Sequence, residues 1–171
     1  MKIKNWLATV AAISSAFVIG CSSETESGGK KVEEPKDAVQ KIENITISQY
    51  KEMKFEEDDD GVYVASEPDG QVEIRFMDAR GVENEVEKKA EQLVKEYESK
   101  KGVDAFVSKV SDICCDVPAI EMIDGKIESY RYTRIIYDEE NGSLIVIEGT
   151  AGARMGDKHI KECVSSAELA K

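Results

Sequence analysis

Residues 119–147 read AIEMIDGKIESYRYTRIIYDEENGSLIVI, and this stretch gives the clearest indication of the fold. The pairs Asp124-Gly125 and Asn141-Gly142 each separate two runs that are rich in Ile, Val and Tyr. Asp-Gly and Asn-Gly favour the tight turns that join neighbouring antiparallel strands. The stretch therefore predicts three strands, 119–123, 127–137 and 144–147, connected by two hairpins.

Helical periodicity lies on both sides of this β-rich stretch. From Val82 to Lys100, apolar residues recur at three- and four-residue spacing, with Glu and Lys between them, and Gly102 ends the pattern. Asp157 is a suitable N-cap for a last helix that runs to about Leu169. The side chains expected on the buried stripes are Val82, Val86, Ala90, Leu93, Val94 and Tyr97, then Ile160, Cys163, Val164 and Ala167.

Strands are also predicted before the first helix. Residues 62–65 and 71–77 alternate between apolar and polar side chains around a Pro-Asp-Gly turn. Residues 38–42 fit either a turn or the start of a strand, and 45–55 fit either a strand or a helix. We expect an α+β domain over residues 38–171, with a single antiparallel sheet and two helices packed against it.

This order of elements is similar to that of the Mog1/PsbP-like fold, which some small bacterial lipoproteins are thought to share. The members of that fold are mostly non-catalytic binding or assembly factors. The resemblance therefore implies a binding or accessory domain, and it implies no site residues.

The N-terminus has the layout of a secretory signal. Lys2 and Lys4 precede an uncharged apolar stretch from Trp6 to Ile19 that is too short for a membrane-spanning helix. The residues Val18-Ile19-Gly20-Cys21 resemble the lipobox of bacterial lipoproteins. That resemblance implies cleavage before Cys21, diacylglycerol on its thiol and fatty acyl chains such as palmitate. The alternative is an ordinary signal peptide with a coincidental cysteine.

The resemblance also implies an anchor in the bilayer outside the cytoplasm. Position 22 is Ser rather than the Asp that resembles an inner-membrane retention signal, so in a Gram-negative cell the outer membrane facing the periplasm is favoured. Residues 21–37 are rich in Ser, Gly, Glu and Lys, and they predict a disordered, lipidated tether between the signal (1–20) and the domain.

The charge of the chain excludes one class of partner. Thirty-five acidic residues against 23 basic ones give a net charge of −12. Such a chain is repelled by the phosphates of nucleic acids, so nucleic-acid binding is not expected.

The cysteines after Cys21 allow two interpretations. Thiols outside the cytoplasm tend to oxidise, so Cys163 could form a disulfide with Cys114 or with Cys115. Equally, all three could be buried thiols that act as small apolar residues. His159 and Cys163 are four residues apart on the last helix, but the adjacent Cys114-Cys115 pair lacks zinc-ligand spacing, so a solvated histidine is favoured.

An acidic run partly matches a calcium loop. Glu56, Asp58, Asp60 and Glu67 occupy the spacing of four ligand positions, with Gly61 at the bend. A strand follows where such a loop requires a helix, so a solvated hairpin turn is favoured over a calcium site.

Two further patterns are interpreted structurally. The glycines of residues 149–156 match no phosphate-loop motif and predict a plain connection. On the long strand, Tyr130, Tyr132 and Arg134 are expected on one face, opposite Arg131, Ile135 and Tyr137.

No catalytic constellation and no cofactor are predicted. The leading hypothesis is a lipid-anchored, non-catalytic binding or accessory domain of the cell envelope with an unknown protein partner. The alternatives are a calcium- or ligand-responsive envelope module and an envelope enzyme.

Overall fold

The computed structural model describes residues 38–49, 53–67, 70–81, 84–153 and 158–171. The predicted signal peptide, the lipobox with Cys21 and the tether lie outside the described residues. Their boundaries therefore stay predictions. No helix among the described residues is long and apolar enough to cross a membrane.

Strands dominate the described part of the chain. The elements in chain order are β1 (Ala38–Ile42), β2 (Ile45–Gln49), β3 (Glu56–Glu57), β4 (Tyr63–Glu67), β5 (Gly70–Asp78), α1 (Val86–Glu98), β6 (Val103–Ala105), β7 (Ser108–Ser111), β8 (Cys114–Ile123), β9 (Lys126–Asp138), β10 (Ser143–Gly152), α2 (Lys158–Ser165) and β11 (Glu168–Leu169). The prediction of an α+β fold with two helices and a mostly antiparallel sheet is confirmed.

The main sheet is antiparallel, and β10 lies near its centre. Its strand order is β3-β4-β5-β10-β9-β8-β6, and β7 also pairs with β8. The predicted hairpins form: β8 pairs with β9 across Asp124-Gly125, and β9 pairs with β10 across the turn that contains Gly142. Asp124 and Gly125 both have positive φ angles, of 50° and 76°, which explains why this turn requires such residues.

The prediction of a single sheet is wrong, because β1, β2 and β11 form a separate three-stranded sheet. Ile45 and Ile47 of β2 are fully buried, and they belong to the same core cluster as the central strands of the main sheet. After α2 the chain returns so that Leu169 pairs with Ile45. The small sheet thus exists because its apolar strand β2 is completed by the C-terminal residues.

The two faces of the main sheet carry different cores, as the two-residue period of strands requires. We call them the α1 face and the α2 face after the helix that packs on each. On the α1 face, Val86 and Tyr97 join Val117 and Ile135 in one cluster. On the α2 face, α2 and β2 join a larger cluster. The side chains predicted to be buried by the last helix are all buried there: Ile160, Cys163, Val164 and Ala167.

Both helices are shorter than the periodicity suggested. Helix α1 begins at Val86, whose backbone N–H donates to the side-chain oxygen of Asn84 (3.1 Å), and it ends at Glu98. The predicted start at Val82 lies outside the described residues, as does the predicted cap Asp157 of α2. Helix α2 ends at Ser165, short of Leu169, because Arg134 donates to the carbonyl oxygens of Ser165 and Ala167.

Gly149 permits α2 to lie close to the sheet. A Cβ atom at this position would lie 2.5 Å from Cγ2 of Ile160 and 2.7 Å from Cγ2 of Val164. Gly149, the first glycine of the 149–156 segment, lies in β10, and its missing side chain leaves room for α2. Residues 154–156 lie outside the described part of the chain.

Candidate binding groove

A proline in β8 interrupts the outer edge of the main sheet. Pro118 accepts a hydrogen bond at its carbonyl from the backbone N–H of Phe106 (3.3 Å), but it has no N–H to return to Phe106. Pairing with β8 therefore breaks at Phe106 and Val107, and this break separates two short strands, β6 and β7. The break leaves the Phe106 side chain 63% exposed.

A cavity of about 540 Å³ opens beside this break, on the α2 face. Its walls come from β6, β8, β9 and α2. We call it the groove, and define it by its apolar lining of Ala105, Phe106, Pro118, Ile120, Tyr132 and Val164. Its volume lies within the range of about 300–1,000 Å³ that is usual for ligand sites.

The groove exists because the second layer covers only part of the α2 face. Helix α2 packs on β10, β9, β5 and β2, which leaves the outer half of β8 uncovered. Ile120 is 37% exposed there, and Met122, which follows a shift in the register of β8 with β9, is exposed as well. Met122 pairs with the exposed Ile127. The apolar surface thus continues from the groove toward the β8–β9 turn.

An ion pair of the buried Arg134 with the partly exposed Asp116 lies at the groove, and Asp116 lines its wall. Nε and Nη2 of Arg134 donate to the two carboxylate oxygens of Asp116 at 2.7 and 2.8 Å, and the arginine is only 7% exposed. Burial works to lower the pKa of Arg134, but the hydrogen bonds and charge of Asp116 outweigh it and raise the pKa. Arg134 stays charged, and it joins β8, β9 and the end of α2.

The predicted division of the long strand between two faces is confirmed, and both of its arginines form ion pairs. The register places Tyr130, Tyr132 and Arg134 on the α2 face. On the α1 face, Arg131 pairs with Glu148 (2.8 Å) and lies 5.2 Å from the centre of the Tyr97 ring. Both arginines therefore hold the fold together.

Two charged side chains remain at the rim of the groove. The ammonium group of Lys161, on α2, lies 5.7 Å from the centre of the Tyr132 ring. Asp104, on β6, pairs in register with Ile120 and faces the groove. Asp104 is exposed, and no side chain in the described part of the chain forms an ion pair with it. The rim thus has an acidic side on β6 and a basic side on α2.

The three domain cysteines are buried thiols, divided between the two cores. Cys114 and Cys163 belong to the cluster on the α2 face, whereas Cys115 belongs to the cluster on the α1 face. A bridge from Cys163 to Cys115 would have to pass through the sheet. The disulfide stays a prediction, and of its two candidate partners Cys114 is the one that shares a core cluster with Cys163.

Burial also makes these thiols poor nucleophiles. It raises the pKa of Cys114 to about 11, and it raises that of Cys115 as well. The thiolate is the reactive form of cysteine, so both side chains are unreactive near neutral pH.

The acidic run of the calcium-loop match forms the β3–β4 hairpin. Oδ1 of Asp58 accepts hydrogen bonds from the backbone N–H groups of Asp60 and Val62, both at 2.9 Å. Glu56 is paired in β3, and the Glu67 side chain lies outside the described residues. Among the described residues, no three His, Cys, Asp or Glu side chains are grouped to hold a metal. His159 is half-buried rather than solvated on α2, and Cys163 is buried there.

A second cavity, of about 480 Å³, lies near the other edge of the main sheet. We call it the polar pocket; its walls are Glu43, Asn44, Glu57, Gly61, Tyr63, Phe76, Asn141 and Ser143. The Tyr63 hydroxyl donates to Oε1 of Glu43 (3.0 Å), and this bond is the main cause that raises the pKa of Tyr63 to about 12. Tyr63 therefore stays protonated, and it connects β4 to the turn between β1 and β2.

A buried carboxylate supports the polar pocket from below. Asp138 is 3% exposed and accepts hydrogen bonds from the side-chain amides of Asn44 and Asn141, the latter at 2.7 Å. Burial alone would raise the pKa of Asp138, but the bonds from Asn141 and Asn44 outweigh it and lower the pKa. Sequence reasoning missed this network, because Asn44 and Asp138 are 94 residues apart.

Comparison with known proteins places the fold but gives no close relative. The chain matches no known family profile and no curated protein by sequence. Its structure is similar to that of the Ran-binding protein Mog1p of Saccharomyces cerevisiae, with 10% identity, a TM-score of 0.55, and coverage of 80% of this chain and 97% of Mog1p. A mutant of Mog1 gives a TM-score of 0.56 at 9% identity, with the same coverage.

A second neighbour is the cyanobacterial PsbP of Synechocystis sp. PCC 6803. It has 10% identity and a TM-score of 0.55, with coverage of 85% of this chain and 98% of that protein. The domain thus has the Mog1/PsbP-like fold, as its order of elements suggested. At these identities the likeness concerns the fold alone.

Proposed function

We propose that this protein is a lipoprotein of the bacterial cell envelope whose folded domain is a non-catalytic binding or accessory module. The observation that carries the proposal is the groove, where a rigid sheet presents Phe106 and Ile120 to solvent beside a cavity. Exposed apolar surface next to a preformed cavity is characteristic of binding sites.

The chemistry of the described side chains supports binding rather than catalysis. The raised pKa values of Cys114 and Cys115 keep these thiols protonated. Asp116, the carboxylate inside the groove, has both oxygens bonded to Arg134. Its charge is therefore used to hold the fold, and it is poorly suited to accept a proton from a substrate.

The lipobox-like residues Val18–Cys21 support the location. In our proposal, acyl chains on Cys21 insert into the bilayer, and two or more such chains make the attachment stable. The outer membrane facing the periplasm is the proposed site in a Gram-negative cell.

Intact mass spectrometry of the full chain, expressed in a bacterial host and purified from membranes, tests the location. We expect a mass equal to residues 21–171 plus diacylglycerol and one further acyl chain. The Cys21→Ala variant should lose the lipid mass and leave the membrane fraction. An unlipidated wild-type chain would contradict the envelope anchor.

Photo-cross-linking in intact cells tests the binding module. A photoreactive amino acid in place of Phe106 should give a discrete adduct with an envelope protein, and Ile120→Lys in the same chain should abolish it. The matched control is the same substitution at Val39, which is 68% exposed on β1. Equal adducts at both positions, or none at Phe106, would contradict a role of the groove in binding.

A further inference from the structure

We propose that the groove binds a segment of a partner protein that presents a basic side chain next to apolar ones. The inference rests on the proposed function in one respect, since it takes the groove as the binding surface. It adds the chemical class of the ligand, which follows from the shape and the charges of the groove.

The apolar surface is too long for a compact ligand alone. It runs along β8 from Pro118 through Ile120 to Met122 and continues on Ile127 of β9. At 3.3 Å per residue, the part on β8 extends about 13 Å. A polypeptide segment can cover both the cavity and this extension, with an apolar side chain inserted beside Phe106.

Charge complementarity selects a basic residue in that segment. Of the charged side chains at the groove, Lys161 lies over the Tyr132 ring and Asp116 is neutralised by Arg134, whereas Asp104 has no ion-pair partner in the described part of the chain. Asp104 lies directly across from Ile120, so a cation bound there would sit next to the apolar surface. The net charge of −12 adds a long-range attraction for basic partners.

The broken edge favours binding across the face of the sheet rather than along its edge. Strand addition requires a continuous row of backbone donors and acceptors. Here β6 and β7 are interrupted at Phe106 and Val107. Side chains, not backbone pairing, therefore determine recognition, and substitutions at Phe106 and Asp104 should reveal it.

Fluorescence anisotropy with defined peptides tests the proposal. The full chain is reconstituted in nanodiscs of zwitterionic lipid, with empty nanodiscs as the blank. The probes are three labelled nonapeptides that alternate Leu with Lys, Leu with Glu, or Ser with Lys. We expect binding of the Leu/Lys peptide, and weak or no binding of the other two.

Variants then assign the binding to the groove. Phe106→Ala should weaken the Leu/Lys peptide about tenfold, as expected for an aromatic anchor. Asp104→Asn should weaken it about threefold and reduce its salt dependence. The matched controls are Val39→Ala and Asp59→Asn, which remove an equally exposed apolar side chain and an equal charge away from the groove. Both should leave the affinity unchanged.

Three results would overturn the inference. The first is that the Leu/Glu peptide binds as tightly as the Leu/Lys peptide. The second is that Asp59→Asn weakens peptide binding as much as Asp104→Asn does. The third is that the small apolar dye N-phenylnaphthylamine occupies the groove and is not displaced by peptide. The last result would indicate a site for a small apolar molecule. Failure of lipidation at Cys21 would overturn the envelope proposal but not the peptide result, so the two failures are distinguishable.

Discussion

The two edges of the eight-stranded sheet use their exposed side chains in opposite ways. At the β3–β4 edge, which we call the polar edge, the side chains are mostly acidic; Asp58 accepts bonds from backbone amides there, and Tyr63 of β4 donates to Glu43 of the neighbouring β1–β2 turn. At the β6–β7 edge, which we call the apolar edge, the exposed apolar side chains Phe106 and Val110 lie among polar ones, and Ile120 is exposed on the neighbouring strand β8. These two carboxylates are thus bonded within the domain, whereas Phe106 and Ile120 remain exposed at the other side of the sheet.

The difference separates structural residues from candidate recognition residues. A carboxylate whose oxygens accept backbone N–H groups stabilises its own turn and has little capacity left for a ligand. An exposed phenylalanine contributes little to stability, because it gains little burial on folding. By this criterion the acidic run, prominent in the sequence, belongs to the fold, and the less conspicuous Phe106 belongs to the binding surface.

The largest effect is expected at the ion pair beneath the groove. Arg134→Ala leaves Asp116 without its partner and frees the carbonyl groups at the end of α2. We expect a loss of about 3–5 kcal/mol in the free energy of unfolding, measured with urea. The control is Arg80→Ala, which breaks an exposed pair with Asp78 and should cost less than about 1 kcal/mol. If Arg134→Ala and Arg80→Ala lowered the free energy of unfolding equally, Arg134 would not be essential to the stability of the fold beneath the groove.

A smaller effect is expected at the polar edge, where Asp138 is buried beneath the polar pocket. Asp138→Asn removes the charge that Asn44 and Asn141 stabilise, and we expect a loss of about 1–2 kcal/mol at neutral pH. The pKa of Asp138 is lowered in the folded state, whereas an unfolded aspartate has a pKa of about 3.9. Its contribution is therefore complete above about pH 4 and disappears as the pH falls through the folded pKa.

The pH dependence gives this prediction its control. Between about pH 5 and pH 2, wild-type stability should fall more steeply than that of the Asp138→Asn variant, as measured by urea unfolding at each pH. Asp59→Asn, which changes an exposed turn residue, should keep the wild-type slope. A parallel slope for Asp138→Asn would mean that Asp138 has an ordinary pKa in the folded protein.

Local signals in the sequence were sufficient for most of the fold. The pairs Asp124-Gly125 and Asn141-Gly142 correctly placed the hairpins, because the required backbone angles depend on the residues themselves. The three-stranded sheet was not predictable in this way. It depends on Arg134 ending α2 at Ser165 and on the pairing of Leu169 with Ile45, contacts between residues far apart in the chain.

The candidate site was harder to predict than the fold. Phe106 lies in a short apolar run that indicates a strand, and pairing is interrupted there because Pro118 on the neighbouring strand has no N–H to donate. Pro118 is present in the sequence, but its effect on the pairing of Phe106 can be predicted only when the register of β6 and β8 is known. The burial of Arg134 was equally unpredictable, since it depends on where α2 packs.

A loss of about 1 kcal/mol is expected from Asp58→Ala in the β3–β4 hairpin. The substitution removes two hydrogen bonds to backbone N–H groups, both in an exposed turn. Thermal unfolding should show the same loss of stability with and without millimolar calcium, because Asp58 accepts hydrogen bonds within the turn and does not bind an ion. A calcium-dependent rise in Tm in the wild type that Asp58→Ala abolishes would instead support the calcium-loop interpretation.

The smallest effect on stability is expected at Phe106, the residue with the largest proposed effect on binding. Phe106→Ala should change the free energy of unfolding by less than about 0.5 kcal/mol, because the side chain is 63% exposed. The same substitution at Phe55, which is 7% exposed in the core, should cost about 3–5 kcal/mol. If urea unfolding shows a large loss for Phe106→Ala, the side chain supports the sheet edge, and the contrast between the two edges fails. If Phe106→Ala leaves the free energy of unfolding almost unchanged but weakens peptide binding, the exposed Phe106 side chain contributes to recognition and not to the stability of the fold.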